Sequence, residues 1–520
     1  MRLTAIVVAA SAATILTACH QQPAAPKTAE AALPAPTELA APGEEIAWRE
    51  GDVQDALAEA KESGKPVLLY WGAKWCPPCN QLKSTLFRDR AFIAQTRGFI
   101  PVHLDGDTTG AQRWGERFGI SGYPTVIVLR ADGSEIVRLS GATPRLAEVL
   151  RVAAGRTTSI DDVFAKADKD AKSLSADDWR LLGAFDWQND PKHFGDHGRA
   201  AALLNRLAGA APEPALQHRF ALLALVMGAK RTPDGKFALT TAQQTEVTQV
   251  LPAILASPAE VIANRQQLSD PAAQLIAALP DAAQRQTLGA SLIKALEPVT
   301  NDTSLPLPDR MYTVKADIVL DKADHGNVSP AVLARVRDRT KWADTNAREA
   351  MVRQSVISDA ADLLHQAGDD TNANALLQAE LKRSAQPYYY MLDLSGIAED
   401  AGDGPTAIAW ARKAYETSEG EATRVQWAIE YSKTVLRQAP GDSAQVAASA
   451  QAVIDALGSN TGSYYQRTRL RVAAWGGLLR NWSAAHHGGA VLSKIDKQMV
   501  GVCAKQGEAA ATCRKWAKPV

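Results

Sequence analysis

The five residues Trp75-Cys76-Pro77-Pro78-Cys79 constrain this chain more than any other stretch. Two cysteines three positions apart follow the apolar run Pro66-Val-Leu-Leu-Tyr-Trp71 and open a helical pattern. A thiol at the first turn of a helix faces the positive end of the peptide dipoles, which lowers its pKa and makes it a nucleophile. A second thiol one turn further in can attack the mixed disulfide that the first one forms. Thiol–disulfide exchange is therefore the expected chemistry, with Cys76 attacking, Cys79 resolving and no cofactor required. Pro77 and Pro78 have no N–H, so only the N–H of Cys79 can donate to the Cys76 thiolate. A weakly stabilised thiolate belongs to a reducing couple rather than a strongly oxidising one. The bland alternatives are a zinc half-site or an inert pair. A half-site needs a second ligand pair nearby; His103 is the one histidine close in sequence, and its strand position fits packing better.

Helix and strand patterns alternate from residue 45 to 155. Val53–Lys61 is amphipathic, Pro66–Trp71 reads as a buried strand, and Cys76 starts a helix expected to run towards Gln95. Phe99–Leu104 is the next strand and Ala111–Phe118 a short helix. Thr125–Leu129 and Glu135–Leu139 form a hairpin about Ala131-Asp132-Gly133. Thr143 and Pro144 carry the signature of a final helix start. The order is βαβα–ββα with an extra leading helix, in the α/β class.

Beyond residue 155 the β-branched runs vanish and Ala, Leu, Gln and Arg recur at helical spacing, so 156–520 is expected to be all-α. Ala367-Gly368-Asp369 recurs as Ala401-Gly402-Asp403, an offset of 34 residues, and Ala375 matches Ala409. That is the period of tetratricopeptide helix pairs, which stack into a solenoid; an irregular helical array is the alternative. Tyr388-Tyr389-Tyr390-Met391 fits inter-helix packing better than a partner-binding strip.

The 57 basic and 57 acidic residues cancel, which argues against nucleic acid as a partner. Residues 1–18 read as a signal segment: Arg2, then an apolar run from Leu3 to Ile15 too short for a comfortable membrane span. Residues 19–44 are rich in Ala and Pro and read as an extended tether. Of the five cysteines, Cys503 and Cys513 lie ten apart near the C-terminus. A structural disulfide is the expectation for that pair. A second redox pair, or zinc with His486 and His487, are the alternatives.

Two resemblances sharpen these expectations. Leu16-Thr17-Ala18-Cys19 resembles the lipobox of bacterial lipoproteins, which implies cleavage before Cys19, a diacylglycerol on its sulfur and a periplasmic location. An ordinary cleaved signal with a free Cys19 is the alternative. His20, where an Asp would resemble an inner-membrane retention signal, favours the outer membrane. Second, Ala56–Lys61, Gly64–Leu69, Trp75-Cys76, Cys79, Leu82, Thr85–Asp89 and Val102–Asp105 together resemble exported thioredoxin-like domains, above all the C-terminal domain of DsbD-type periplasmic reductases. Gly122-Tyr123-Pro124-Thr125 resembles the family's cis-proline loop. The resemblance implies a thioredoxin fold, a cis Pro124, and Trp75, Tyr123 and Pro124 as residues that touch the substrate. Its partners would be proteins with disulfides or thiols and an inner-membrane electron donor. Where common thioredoxins hold a buried Asp, six before the first cysteine, this chain has Tyr70. Tyr70 with Cys-Pro-Pro-Cys resembles tryparedoxin and nucleoredoxin, which are reductases. Water is then one candidate acceptor for the Cys79 proton. A reading of another class is a helical scaffold that uses the thioredoxin-like part as a binding head.

Overall fold

Six residues in extended conformation, each apolar or small and each buried, make the centre of the first domain. Strand β2 (Val67–Gly72) buries Val67, Leu69 and Trp71 against one layer and Leu68 and Tyr70 against the other. A strand covered on both faces reads as a continuous apolar run, with no alternation. It pairs in parallel with β3 (Ile100–Asp105) and antiparallel with β4 (Thr125–Leu129). β4 pairs antiparallel with β5 (Glu135–Ser140), and a two-residue strand β1 (Arg49–Glu50) lies parallel to β3. The order is β1-β3-β2-β4-β5. Helices α1 (Val53–Ser63), α2 (Pro77–Ser84), α3 (Arg90–Thr96), α4 (Thr109–Phe118) and α5 (Leu146–Ala153) complete the domain. This is the thioredoxin arrangement. The computed structural model describes residues 44–141, 145–156, 158–460 and 464–517. The signal segment, the Cys19 lipid site, the tether up to residue 43 and the Thr143-Pro144 helix start lie outside them.

Two local features depart from the sequence expectation. The helix from Cys76 does not reach Gln95. It ends at Thr85, whose φ of −122° and ψ of −91° leave the helical region, and a short 3-10 turn spans Leu86–Arg88. Asp89 then caps α3, accepting from the N–H of Phe92 at 2.7 Å. The break turns Phe87 onto Tyr70 and Trp48, with ring centroids 5.0 and 5.4 Å away. Strand β1 was absent from the sequence pattern because two residues carry no periodicity. It also explains how Pro101 sits in a strand flanked on both sides. The N–H of Ile100 donates to Pro66 towards β2, so the ring nitrogen of Pro101 faces the other way. There β1 pairs only Val102 and His103, and no ladder bond is lost.

After α5 the chain is helical throughout the described residues, apart from a ribbon of Lys230–Arg231 with Phe237–Ala238. The two units with the 34-residue offset are real helix pairs: Ile357–Gln366 with Asp370–Glu380, and Tyr388–Asp400 with Gly404–Thr417. Gly368 and Gly402 take the turn with φ of 83° and 75°, and Asp369 and Asp403 cap the second helix of each pair. The small residues that pack inside are Ala373 and Ala407, both fully buried. Ala375 and Ala409, which the sequence offset also aligned, face solvent, because they stand two residues on and so on the other side of the helix. Tyr390 belongs to the core of these pairs.

The two regions share a core among the described residues. One apolar core runs from Leu68, Tyr70 and Val126 on the sheet through Val149 and Leu150 of α5. It continues to Phe164, Trp179, Phe185 and Trp187 of the first helices beyond. Near the C-terminus Cys503 and Cys513 are joined by a disulfide, packed with Trp475 and Trp516.

His365 ties the two pairs together, with Nδ1 2.6 Å from Asp370 and Nε2 3.0 Å from Asp400. Burial lowers its pKa, but the two aspartates outweigh burial and the net shift is upward from 6.5. A raised folded pKa gives stability that is fully present below the unfolded value and lost as pH rises through the folded one. The urea-midpoint difference between wild type and His365→Gln should therefore be larger at pH 6 than at pH 9. Equal differences at both would show that the bridge carries no charge.

Candidate redox site

Cys76 is the N-cap of α2, with extended backbone at φ −83° and ψ 110°. Pro77 and Pro78 fill the first two helical positions, where a missing N–H costs nothing. The one donor to the Cys76 sulfur is the N–H of Cys79, at 3.3 Å. Cys76 and Cys79 are joined as a disulfide, so the structure holds the oxidised form. Across from them the Tyr123–Pro124 peptide is cis. Tyr123 is pinned there by its hydroxyl, which accepts from Gln112 Nε2 at 2.8 Å, and burial pushes its pKa up. Trp75 stands 6.2 Å from Tyr123, ring to ring, and Pro124 is buried behind them. Trp71 lies in the core, its indole N–H donating to Ala111.

Tyr70 is also buried. It stacks on His103 at 5.3 Å, and burial pushes its phenol above the ordinary value. It stays protonated and cannot serve as the base for Cys79. His103 is half-buried, with Nδ1 2.8 Å from Glu50, and no group of three metal-ligating residues occurs among the described residues.

The redox pair is not on the surface. Cys76 is 3% exposed and Cys79 0%. The cover comes from the helical region: Tyr388, Met391, Ala414 and Trp427 join Ala73, Trp75, Cys76 and Cys79 in one apolar cluster. Trp427 meets Trp75 edge-on at 5.4 Å, and Tyr388 meets Trp427 at 4.9 Å. Such aromatic contacts are worth about 0.5–1.5 kcal/mol each beyond area burial. Asp107, in the loop after β3, fastens the cover. Its carboxylate accepts from Trp75 Nε1 at 3.1 Å and from the Thr423 hydroxyl, and its carbonyl accepts the N–H of Ala422 at 3.2 Å. Burial raises the Asp107 pKa, and the two side-chain hydrogen bonds oppose that shift. Gly420 makes the approach possible. Its φ is 97°, and a Cβ there would stand 2.5 Å from the Asp107 carboxylate. Further out, Asn80 donates to Gln354 at 2.7 Å, and Arg88 pairs with Glu349.

Between the two regions lies a cavity of about 430 Å³. Trp75, Cys76, Pro77 and Tyr123 line one wall; Gln426, Trp427 and Arg467 line the other. The guanidinium of Arg467 sits 4.7 Å from the Tyr123 ring and 5.5 Å from that of Trp75. Burial lowers its pKa to about 10, so it remains a cation at neutral pH. Sequence reasoning identified the sulfurs and the proline loop but missed Asp107, Gly420, Thr423, Trp427 and Arg467. The signal nearest to them was the Tyr388–Tyr390 run, read as packing; Tyr388 packs on the redox pair itself.

Removal of the cover should be measurable at the sulfur. Trp427→Ala opens a direct path to Cys76. In the reduced protein its alkylation by iodoacetamide should rise several-fold over wild type, read by mass spectrometry of the Cys76 peptide. An unchanged rate would mean that Trp427 does not limit access.

A family model described as a thioredoxin-like domain matches residues 53–152. The thiol:disulfide interchange protein DsbD of Vibrio vulnificus is 32% identical over 108 residues, 19% of this chain and 18% of that protein. DsbD 1 of Pseudomonas aeruginosa is 33% identical over 107 residues, again 19% and 18%. This chain thus spans less than a fifth of these two relatives. Thioredoxin H4 of Arabidopsis thaliana is 30% identical over 86 residues, which cover 16% of this chain and 68% of that protein. A cysteine pair at a helix N-terminus, a cis-proline loop opposite it and a shared sequence across the sheet that carries both place this chain in the thioredoxin family.

Proposed function

We propose that this chain is a thiol–disulfide oxidoreductase of the bacterial cell envelope, working in the reducing direction through Cys76 and Cys79. The observation that carries this reading is the oxidisable pair at the N-cap of α2, with one N–H donor to the Cys76 sulfur. In the reduced protein Cys76 loses its proton and attacks a substrate disulfide. One substrate thiol leaves, and Cys79 then attacks the Cys76 sulfur and releases the other. Two electrons pass from the dithiol to the substrate. Pro77 and Pro78 keep the thiolate short of donors, which supports the reducing direction. Tyr70 is a poor base, so water reaching the cavity takes the Cys79 proton in this scheme.

The likeness to DsbD thioredoxin domains supports an envelope address and thiol-bearing protein partners. In this reading a diacylglycerol on Cys19 anchors the chain to the periplasmic face of the outer membrane, and an inner-membrane protein resupplies electrons. Among the described residues no helix is long and apolar enough to cross a membrane. The helical region positions the partner, whose cysteine enters as an extended segment along the cavity beside Tyr123.

Purified protein with a dithiol supplied should reduce insulin disulfides faster than its Cys76→Ser variant. Equal rates would end the enzyme reading. Cys79→Ala should retain partners as mixed disulfides in native envelopes. Equal retention of those partners by a double cysteine mutant would instead favour a non-redox scaffold.

A further inference from the structure

The cavity beside Cys76 has a chemical bias that its redox role does not require. Three of its side chains are more than nine-tenths buried and hold donors with no acceptor: Gln426 is 4% exposed, Trp427 5% and Arg467 7%. The free donors are Gln426 Nε2, Trp427 Nε1, and two nitrogens of Arg467, Nε and one Nη. A buried polar group without a partner costs about 1–3 kcal/mol, and more if charged. Four such donors, on side chains that line one wall, are a standing demand for acceptors.

The nearby acids do not answer it. Among the described residues no carboxylate lies within ion-pair distance of Arg467. Asp107 is engaged by Trp75 and Thr423 and attracts Arg467 only from beyond ion-pair distance. Glu430 is paired with Lys433 at 3.0 Å and Arg471 at 3.7 Å. Asp393 accepts from the Ser358 hydroxyl at 2.6 Å, and burial raises its pKa to about 7. Arg467 is therefore a desolvated cation over the Tyr123 ring, with Nε and one Nη free, in the same cavity as the attacking sulfur. A guanidinium so placed matches a carboxylate.

We propose that Gln426, Trp427 and Arg467 form a specificity site that selects disulfides carrying a carboxylate close to the sulfur. The inference rests on the oxidoreductase reading and names the substrate class of that site. Two sources could present this chemistry: a small disulfide of the size of oxidised glutathione, or a peptide segment with an acidic residue beside its cysteine. About 430 Å³ suits either one small molecule or a few residues of extended chain. The reaction balances as before. The carboxylate docks on Arg467, the Cys76 thiolate attacks the adjacent sulfur, and the departing thiolate takes a proton from water. Cys79 closes the protein disulfide and releases the second thiol. A dithiol reductant restores the starting state.

The test is single turnover with the full chain, pre-reduced and freed of reductant, followed by tryptophan fluorescence and thiol release. One arm compares oxidised glutathione with its fully esterified analogue. The other compares a disulfide-linked peptide pair with Glu or Gln beside the cysteine. Wild type should consume the acidic member about tenfold faster in at least one arm, the scale of one charged hydrogen bond. Preference in the first arm alone identifies the small-molecule source, and in the second alone the peptide source. Arg467→Gln should bring the ratio close to one, and Arg467→Lys should keep part of it. A wild-type ratio near one in both arms, or a ratio untouched by Arg467→Gln, overturns the specificity site while leaving the redox reading intact. Reduced wild type that consumes none of the four disulfides would overturn the redox reading itself, and this inference with it.

Discussion

One carboxylate joins the two parts of this protein at the place where its chemistry lies. Asp107 accepts from the indole of Trp75, next to the attacking cysteine, and from the hydroxyl of Thr423, in the helical region. That shared acceptor adds polar fastening to the contacts that Trp427 makes with Trp75 and Tyr388 over the sulfurs. The arrangement needs a residue without a side chain at Gly420, since any Cβ would occupy the space of the carboxylate. Burying an acid beside one hydroxyl and one indole donor is costly by itself, and the charge of Arg467 offsets only part of that cost. It persists because the aromatic and apolar contacts around it are extensive.

The helical region is therefore part of the redox site. Its cover makes the environment of Cys76 drier than that of a sulfur at an exposed helix tip, and a drier setting strengthens each charge within it. Arg467, a buried cation with no carboxylate at ion-pair distance among the described residues, is one such charge on that wall. A positive neighbour favours the thiolate over the thiol. The scarcity of N–H donors at the double proline works in the opposite sense. Both segments, nearly 400 residues apart in sequence, line the cavity that holds Cys76.

The parts of the fold that were legible in the sequence are those governed by local rules. The buried strand Val67–Gly72 announced itself as an unbroken apolar run, and the hairpin about Gly133 by its turn residues. Gly368 and Gly402 marked the helix-pair turns because each takes a positive φ that few other residues tolerate. The sulfurs were legible because their chemistry depends on short spacing, and the proline loop through its resemblance to a known family. The break at Thr85 was not, since residues 76–95 keep a helical pattern and the turn is decided by where Phe87 packs. Nor were Trp427 and Arg467, each of which reads as an ordinary residue of an amphipathic helix. Their role comes from tertiary juxtaposition across more than 300 residues, which no window of sequence contains.

The apolar core that runs unbroken from the sheet through α5 into Phe164, Trp179 and Trp187 has a consequence for how this architecture can change. A thioredoxin excised at residue 155 would carry a raw hydrophobic wound where those rings had been, and the helices left behind would lose the floor on which they were laid. In this chain the two parts have to fold as one cooperative unit, whatever the separate histories of their sequences.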